Sequence, residues 1–318
     1  MINRIQTYIL IVFISIFSLI SSVNAELKVV TSIKPLHSLT SYLMDGVGKP
    51  DVIVDGYNSP HNFSLKPSHA KMLENADLVI WVGENLETFL EKPLNTIAKK
   101  AKNIEIMDLK GVKKLEFREK NIFEEHDEHG HDEHKEHDEH KEKDSHEGHA
   151  HGEHDPHVWL DPINAKLIIK EITKQLVQLD AKNSSAYKSN SKKALAEMDN
   201  LIQTIQKDLN KDLRFVVFHD AYQYFENRFG IQVLGSLTVN TDVMPGAEQL
   251  SEIREVIEHE KVNCLFSEPQ FNPAIIKSIA KDTNVKIGTL DPLGAKLDKG
   301  KNLYFNLLKD MSSSFKGC

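Results

Sequence analysis

Nowhere does the sequence contain an apolar run of the roughly 20 residues that a membrane-spanning helix needs. The longest, Tyr8 to Ile20, is thirteen residues. It follows a lone positive charge at Arg4 and ends in small residues closing with Val23-Asn24-Ala25. This pattern reads as a secretory signal peptide, residues 1–25, cut after Ala25. No cysteine lies near that point to carry a lipid, so the mature chain is expected free in the periplasm.

Enzyme signatures are missing as well. There is no H-E-x-x-H; the nearest approach, His146-Glu147-Gly148-His149-Ala150, has alanine where the second ligand should stand. No phosphate loop occurs either, because Gly46-Val47-Gly48-Lys49 runs into Pro50 without the upstream glycine. Catalysis is therefore not expected. A basic face is also lacking: the net charge is -8 overall, and nothing suggests a nucleic-acid partner.

Cysteine is scarce, with Cys264 and the final residue Cys318 the only two. In an oxidising compartment two such thiols favour a bridge over two free groups. The bridge would tie the C-terminus to a strand.

Histidine, by contrast, is abundant, and ten of the 16 fall between Glu124 and His154. They are His126, His129, His131, His134, His137, His140, His146, His149, His151 and His154, interleaved with thirteen acidic residues and three lysines. That segment alone carries a net charge of -10, so the remainder of the chain is close to neutral. With almost no apolar residues it cannot offset the entropy of ordering its backbone, and a solvated loop is expected. Imidazoles at this density bind borderline transition metals weakly, and the carboxylates raise the local cation concentration. A merely solubilising acidic insert is the alternative.

Elsewhere β-branched runs alternate with helical patterns. Strands are expected at 27–31, 51–54, 78–82 and 104–107, with helices near 36–44, 67–75 and 86–100. A second set of strands follows at 215–218, 231–234, 264–267 and 286–289. This order predicts an α/β protein of two lobes, each a parallel sheet flanked by helices. Between them Tyr187, Ala194, Met198, Leu201, Ile205 and Leu209 recur at mostly three- or four-residue spacing without Gly or Pro. That stripe predicts one long helix, either a rigid connector or a helix of one lobe. The expected division is a first lobe over 26–181, a joining helix over 182–210 and a second lobe over 211–318.

Six histidines lie outside the tract. Three of them, His61, His157 and His219, are read as falling at or just beyond strand ends, where ligands gather in open α/β sheets, so they are candidates for one metal site. His37 and His69 on helices are read as structural and His259 as solvated. Asp161 and Asp220 either orient an imidazole through its second nitrogen or serve as caps and surface groups. Trp159 and Tyr222 are expected to pack around the site.

The stretches Ser59-Pro60-His61-Asn62-Phe63, His157-Val158-Trp159-Leu160-Asp161-Pro162, Phe218-His219-Asp220-Ala221-Tyr222, Glu268-Pro269-Gln270-Phe271 and Thr289-Leu290-Asp291-Pro292-Leu293-Gly294 closely resemble blocks of the metal-binding solute-binding proteins of ABC importers. Within them the chain looks most like the zinc-uptake type, ZnuA, over essentially its whole mature length. The resemblance implies two lobes joined by a rigid helix, Zn2+ in the cleft, and delivery by a monomer to a membrane permease driven by a cytoplasmic ATPase. Carried over by position, His61 and His157 would be ligands from the first lobe, and His219 with Asp291 from the second. Manganese-binding relatives use two histidines and two carboxylates, whereas three histidines suit zinc. The chain departs from some zinc-type members in having Pro60 where they have glutamate, so the fourth ligand is Asp291 or a water.

Overall fold

Strand β5 (Arg214–His219) shows how the strands of this chain are built. Phe215 and Val217 face one apolar core and Val216 and Phe218 another, so the strand is buried on both sides. Continuous apolar runs of this kind belong to parallel sheets covered by helices on each face. The computed structural model describes residues 26–118, 120–122, 154–209, 212–239, 241 and 245–318. The expected signal peptide and nine of the ten tract histidines lie outside these residues.

The first sheet holds β1 (Val29–Ile33), β2 (Asp51–Val54), β3 (Leu78–Trp81) and β4 (Lys102–Glu105) in the order β2-β1-β3-β4. Helices α1 (Lys34–Leu43), α2 (Pro67–Glu74) and α3 (Thr88–Thr96) connect them. The second sheet repeats the plan, with β5, β6 (Gln232–Thr238), β7 (Cys264–Ser267) and β8 (Lys286–Thr289) in the order β6-β5-β7-β8. Its helices are α6 (Gln223–Phe229), α7 (Ala247–His259) and α8 (Ala274–Thr283). All pairings within both sheets are parallel, which is the two-lobed α/β architecture expected.

Two long helices lie between the sheets. The expected joining helix is α5 (Ser184–Asp208), buried along Tyr187, Ala194, Met198, Leu201 and Ile205. It packs on α4 (Pro162–Leu179), a helix the sequence reading does not single out. Yet α4 is well marked: Asp161 caps it by accepting from Ile163 N–H at 2.8 Å, Pro162 opens it, and Ile168, Ile169, Ile172 and Leu176 form its apolar stripe. The last helix, α9 (Leu303–Lys316), turns back to pack on α1 and α5. One continuous apolar core therefore runs from the first sheet through α4, α5 and α9 to the inner face of the second sheet. The outer face of the second sheet has its own core, built on Ile253, Ile257, Ile276 and Ile279.

Cys264 and Cys318 form a disulfide, with their Cα atoms 5.8 Å apart. Among the described residues no helix is long and apolar enough to cross a membrane.

Candidate metal centre

Three histidines far apart in sequence meet in the cleft. The ligand atoms of His61, His157 and His219 all lie within 4.8 Å of one another. His61 comes from the loop after β2, which Gly56 turns with φ +70°, a backbone conformation that disfavours side chains. His219 is the last residue of β5, at the carboxyl edge of the second sheet. His157 departs from the expected strand-end placement: it precedes a single 3-10 turn, Val158–Leu160, at the start of the long crossover.

Each buried imidazole is held by a carboxylate. His157 Nδ1 lies 2.7 Å from Asp155 Oδ1, which also accepts the His157 backbone N–H at 2.9 Å. His219 Nδ1 lies 2.7 Å from Glu268 Oε1. The sheet register explains the second pair: Val217 stands beside Phe266 across β5 and β7, so two residues on, His219 meets Glu268. Both partners went unrecognised in the sequence reading. Asp155 had a visible signal, an acidic residue two before a histidine, whereas Glu268 is 49 residues from its partner and needed the strand order.

Of the two readings of Asp161 and Asp220, orienting an imidazole or serving as caps and surface groups, neither residue takes the first. Asp161 caps α4 and takes a two-pronged bond from Arg228, with both contacts at 2.7 Å. Asp220 pairs with Arg118 at 2.8 Å. Asp291 does not join the converging group. Its Oδ1 is committed to Gln270 Nε2 at 2.8 Å and to the N–H groups of Gly294 at 2.9 Å and Leu293 at 3.2 Å, the bonding of a turn-forming aspartate. His37, bonded to Pro50 O, and His69, which accepts the Lys66 N–H ahead of α2, have structural partners, and His259 is exposed.

The bonding fixes which nitrogens face each other. With both Nδ1–H groups given to carboxylates, the Nε2 atoms of His157 and His219 present lone pairs 3.4 Å apart. Two lone pairs at that distance repel unless a cation or a proton lies between them. Zinc bonded tetrahedrally at its usual distance to nitrogen separates two ligand nitrogens by about 3.4 Å. The surrounding cavity is about 10 Å³, bounded by Pro60, Trp159, Phe271 and Leu293 besides the histidines, so it suits one ion and no organic solute. Trp159 is locked in place by its Nε1–H bond to Pro292 O at 2.9 Å.

Burial, and next the neighbouring His219, hold the His157 imidazole well below the usual histidine pKa, so it is neutral and ready to coordinate. For His219 burial is the largest influence and acts downward, but the carboxylates of Glu268, then Asp220 and Asp155, together outweigh it and the pKa is raised. Burial lifts Asp155 to about 7.

A pair of parallel α/β lobes on a shared core, with imidazoles from both turned toward one ion-sized space, defines a two-lobed metal-capturing solute-binding protein. The ZnuA family profile, "Zinc-uptake complex component A periplasmic", matches residues 29–318. The high-affinity zinc uptake system protein ZnuA of Brucella abortus is 46% identical over 304 residues, 91% of each chain. That of Yersinia pestis is 40% identical over 298 residues, 92% of each. A crystal structure of ZnuA superposes with a TM-score of 0.73 at 24% identity, covering 92% of this chain and 98% of that one, and it shares the fold. The chain belongs to the ZnuA family of periplasmic zinc-uptake components, which serve transport and are not enzymes.

Proposed function

We propose that His61, His157 and His219 hold a single Zn2+ between the lobes and that the monomer delivers it to the membrane permease of an ABC importer driven by a cytoplasmic ATPase. The observation that carries the ligand set is the pair of Nε2 atoms facing each other 3.4 Å apart, each ring backed by a carboxylate on its far nitrogen. One chain supplies ligands from both lobes, so no second copy is needed to complete the site. The turn takes up Asp291 Oδ1 alone, and this favours a water over Asp291 as the fourth ligand.

The reading is tested by zinc titration across pH. Coordination requires an unprotonated Nε2, so protons compete with zinc. Of the two buried imidazoles, His219 takes a proton before His157, because its pKa is raised while that of His157 is lowered. Zinc affinity is therefore expected to fall in mild acid. Several buried carboxyls act the other way on zinc-free stability. Asp155 and Glu226 are raised to about 7 and Asp220 to about 6 in the folded protein, each chiefly by burial, so these three hold more protons in the fold than in the unfolded chain between about pH 4 and 7, against the opposite effect of His157, whose pKa is lowered. Their contribution is present in acid and is lost as pH rises through that window. The same holds for His219 above its unfolded value. The rise in Tm on adding zinc should thus grow from pH 5.5 to 8; a flat increment would point to a carboxylate-dominated site.

For the histidine tract, the full mature protein is expected to bind one zinc tightly and further ions weakly. Deleting 124–153 should remove the weak sites and spare the tight one. His154 is retained because it forms an antiparallel bridge with Glu116. Stoichiometry by metal analysis after dialysis against a graded chelator checks this. Loss of the tight ion would make the tract a source of ligands to the cleft.

A further inference from the structure

The segment leading from the first lobe toward the histidine tract, residues 113–118 and 120–122, crosses to the second lobe. At its start Asn164 of α4 holds Lys113 through both its N–H and its C=O, at 2.8 and 3.0 Å. At its end Asn121 docks on the edge strand β6, with its carbonyl accepting from Ser236 N–H at 2.8 Å and its side chain donating to Leu237 O at 2.7 Å. Ile122 and Gly235 form an antiparallel bridge there. The seat is shaped for it: a Cβ on Gly235 would stand 2.7 Å from Asn121 O.

In the middle of the crossing Arg118 reaches into the second lobe. Its guanidinium bonds Asp220 at 2.8 Å and Glu226 at 2.7 Å, and both carboxylates are buried. Asp220 directly follows His219. A second tie reaches the other ligand: the Tyr224 hydroxyl accepts from Leu115 N–H at 2.9 Å and donates to Asp155 O at 2.7 Å. Asp155 is the residue that holds His157.

We infer that this crossing is a strap that sets His157 and His219 in register, and that Arg118 is a positioning residue for His219, acting through Asp220. The inference rests on the reading of these histidines as zinc ligands. Two imidazoles from different lobes present a ready site only if the lobes cannot slide, and ion pairs between buried partners resist sliding better than apolar contact, which tolerates it. Arg118 suits the task because a planar fork bonds two carboxylates in fixed directions, which a lysine cannot do.

The experiment measures zinc dissociation by chelator capture for the full mature protein and its variants. Arg118→Gln should release zinc about tenfold faster, the lower end of what outer-sphere partners of metal ligands contribute, and Arg118→Lys should fall between it and the parent. Because Arg118→Gln strands two buried carboxylates and risks misfolding, Gly235→Ala provides a second route. It pushes the strap off β6 without touching any charge, and faster release is expected again. Either variant, folded by circular dichroism yet releasing zinc at the parent rate, overturns the inference. A His219→Ala background separates positioning from general destabilisation: there Arg118→Gln should change the residual zinc binding no further, and an undiminished effect would overturn the positioning role. Tight zinc binding retained by His219→Ala itself would instead sink the ligand assignment on which the inference stands.

Discussion

Replacing His157 by alanine is expected to weaken zinc binding by well over a hundredfold while leaving the fold in place. Its imidazole is one of three, fully buried, and kept neutral by its surroundings, so it contributes a metal bond without first giving up a proton. Outer-sphere partners of metal ligands are worth about 10- to 100-fold in affinity, and a ligand should exceed them. A hierarchy follows. His157→Ala and His219→Ala should have the largest effects, Asp155→Asn one within the 10- to 100-fold range, and Asp291→Asn little, because the Asn carbonyl can still accept the bonds of Gln270, Leu293 and Gly294. Equilibrium competition with a chelator of known affinity ranks them. A His157→Ala protein with undiminished affinity ends the assignment, and an Asp291→Asn protein that loses zinc restores Asp291 as fourth ligand.

Removing the disulfide should cost stability and leave zinc binding alone. Cys264 and Cys318 are 54 residues apart, and opening a loop of that length is worth about 4 kcal/mol in the chain-entropy model. For a protein of this size that lowers Tm by about 7 °C. The bridge lies at the start of β7, whereas Glu268 follows the other end, roughly 13 Å away along an extended strand. Its loss should also leave α9 docked, since Phe315 packs on Phe215, Phe225 and Phe266 with ring centres 4.8, 5.6 and 5.4 Å away. Thermal unfolding of the chelator-treated protein, with both cysteines changed to serine, gives the first number, and zinc titration of the same protein gives the second. An unchanged Tm would mean the bridge adds nothing. Lost zinc binding at unchanged Tm would turn the thiols back into candidate ligands.

Strand identity was legible where residues speak for themselves. β2, β7 and β8 run over the expected residues 51–54, 264–267 and 286–289, because each is a short run with apolar residues between helical patterns, which marks a strand whatever its final burial. The stripe from Tyr187 to Leu209 likewise marked α5, and the settings of His61, His157 and His219 marked them as candidates for one site. Two cysteines in an exported chain marked the bridge. These are local signals, set by periodicity, composition and the chemistry of single side chains. Which group stands behind each imidazole is not local. Glu268 reaches His219 only because β7 lies beside β5 in a given register, and Asp220, next in sequence to that histidine, points away to an arginine on a strap from the other lobe. Asp291 has the right residue type and neighbourhood for a ligand, yet one of its oxygens, Oδ1, accepts the N–H groups of its own turn. Local sequence determined the elements and the metal-binding chemistry on offer; strand order and crossover geometry, which no short stretch encodes, decided which atoms face one another.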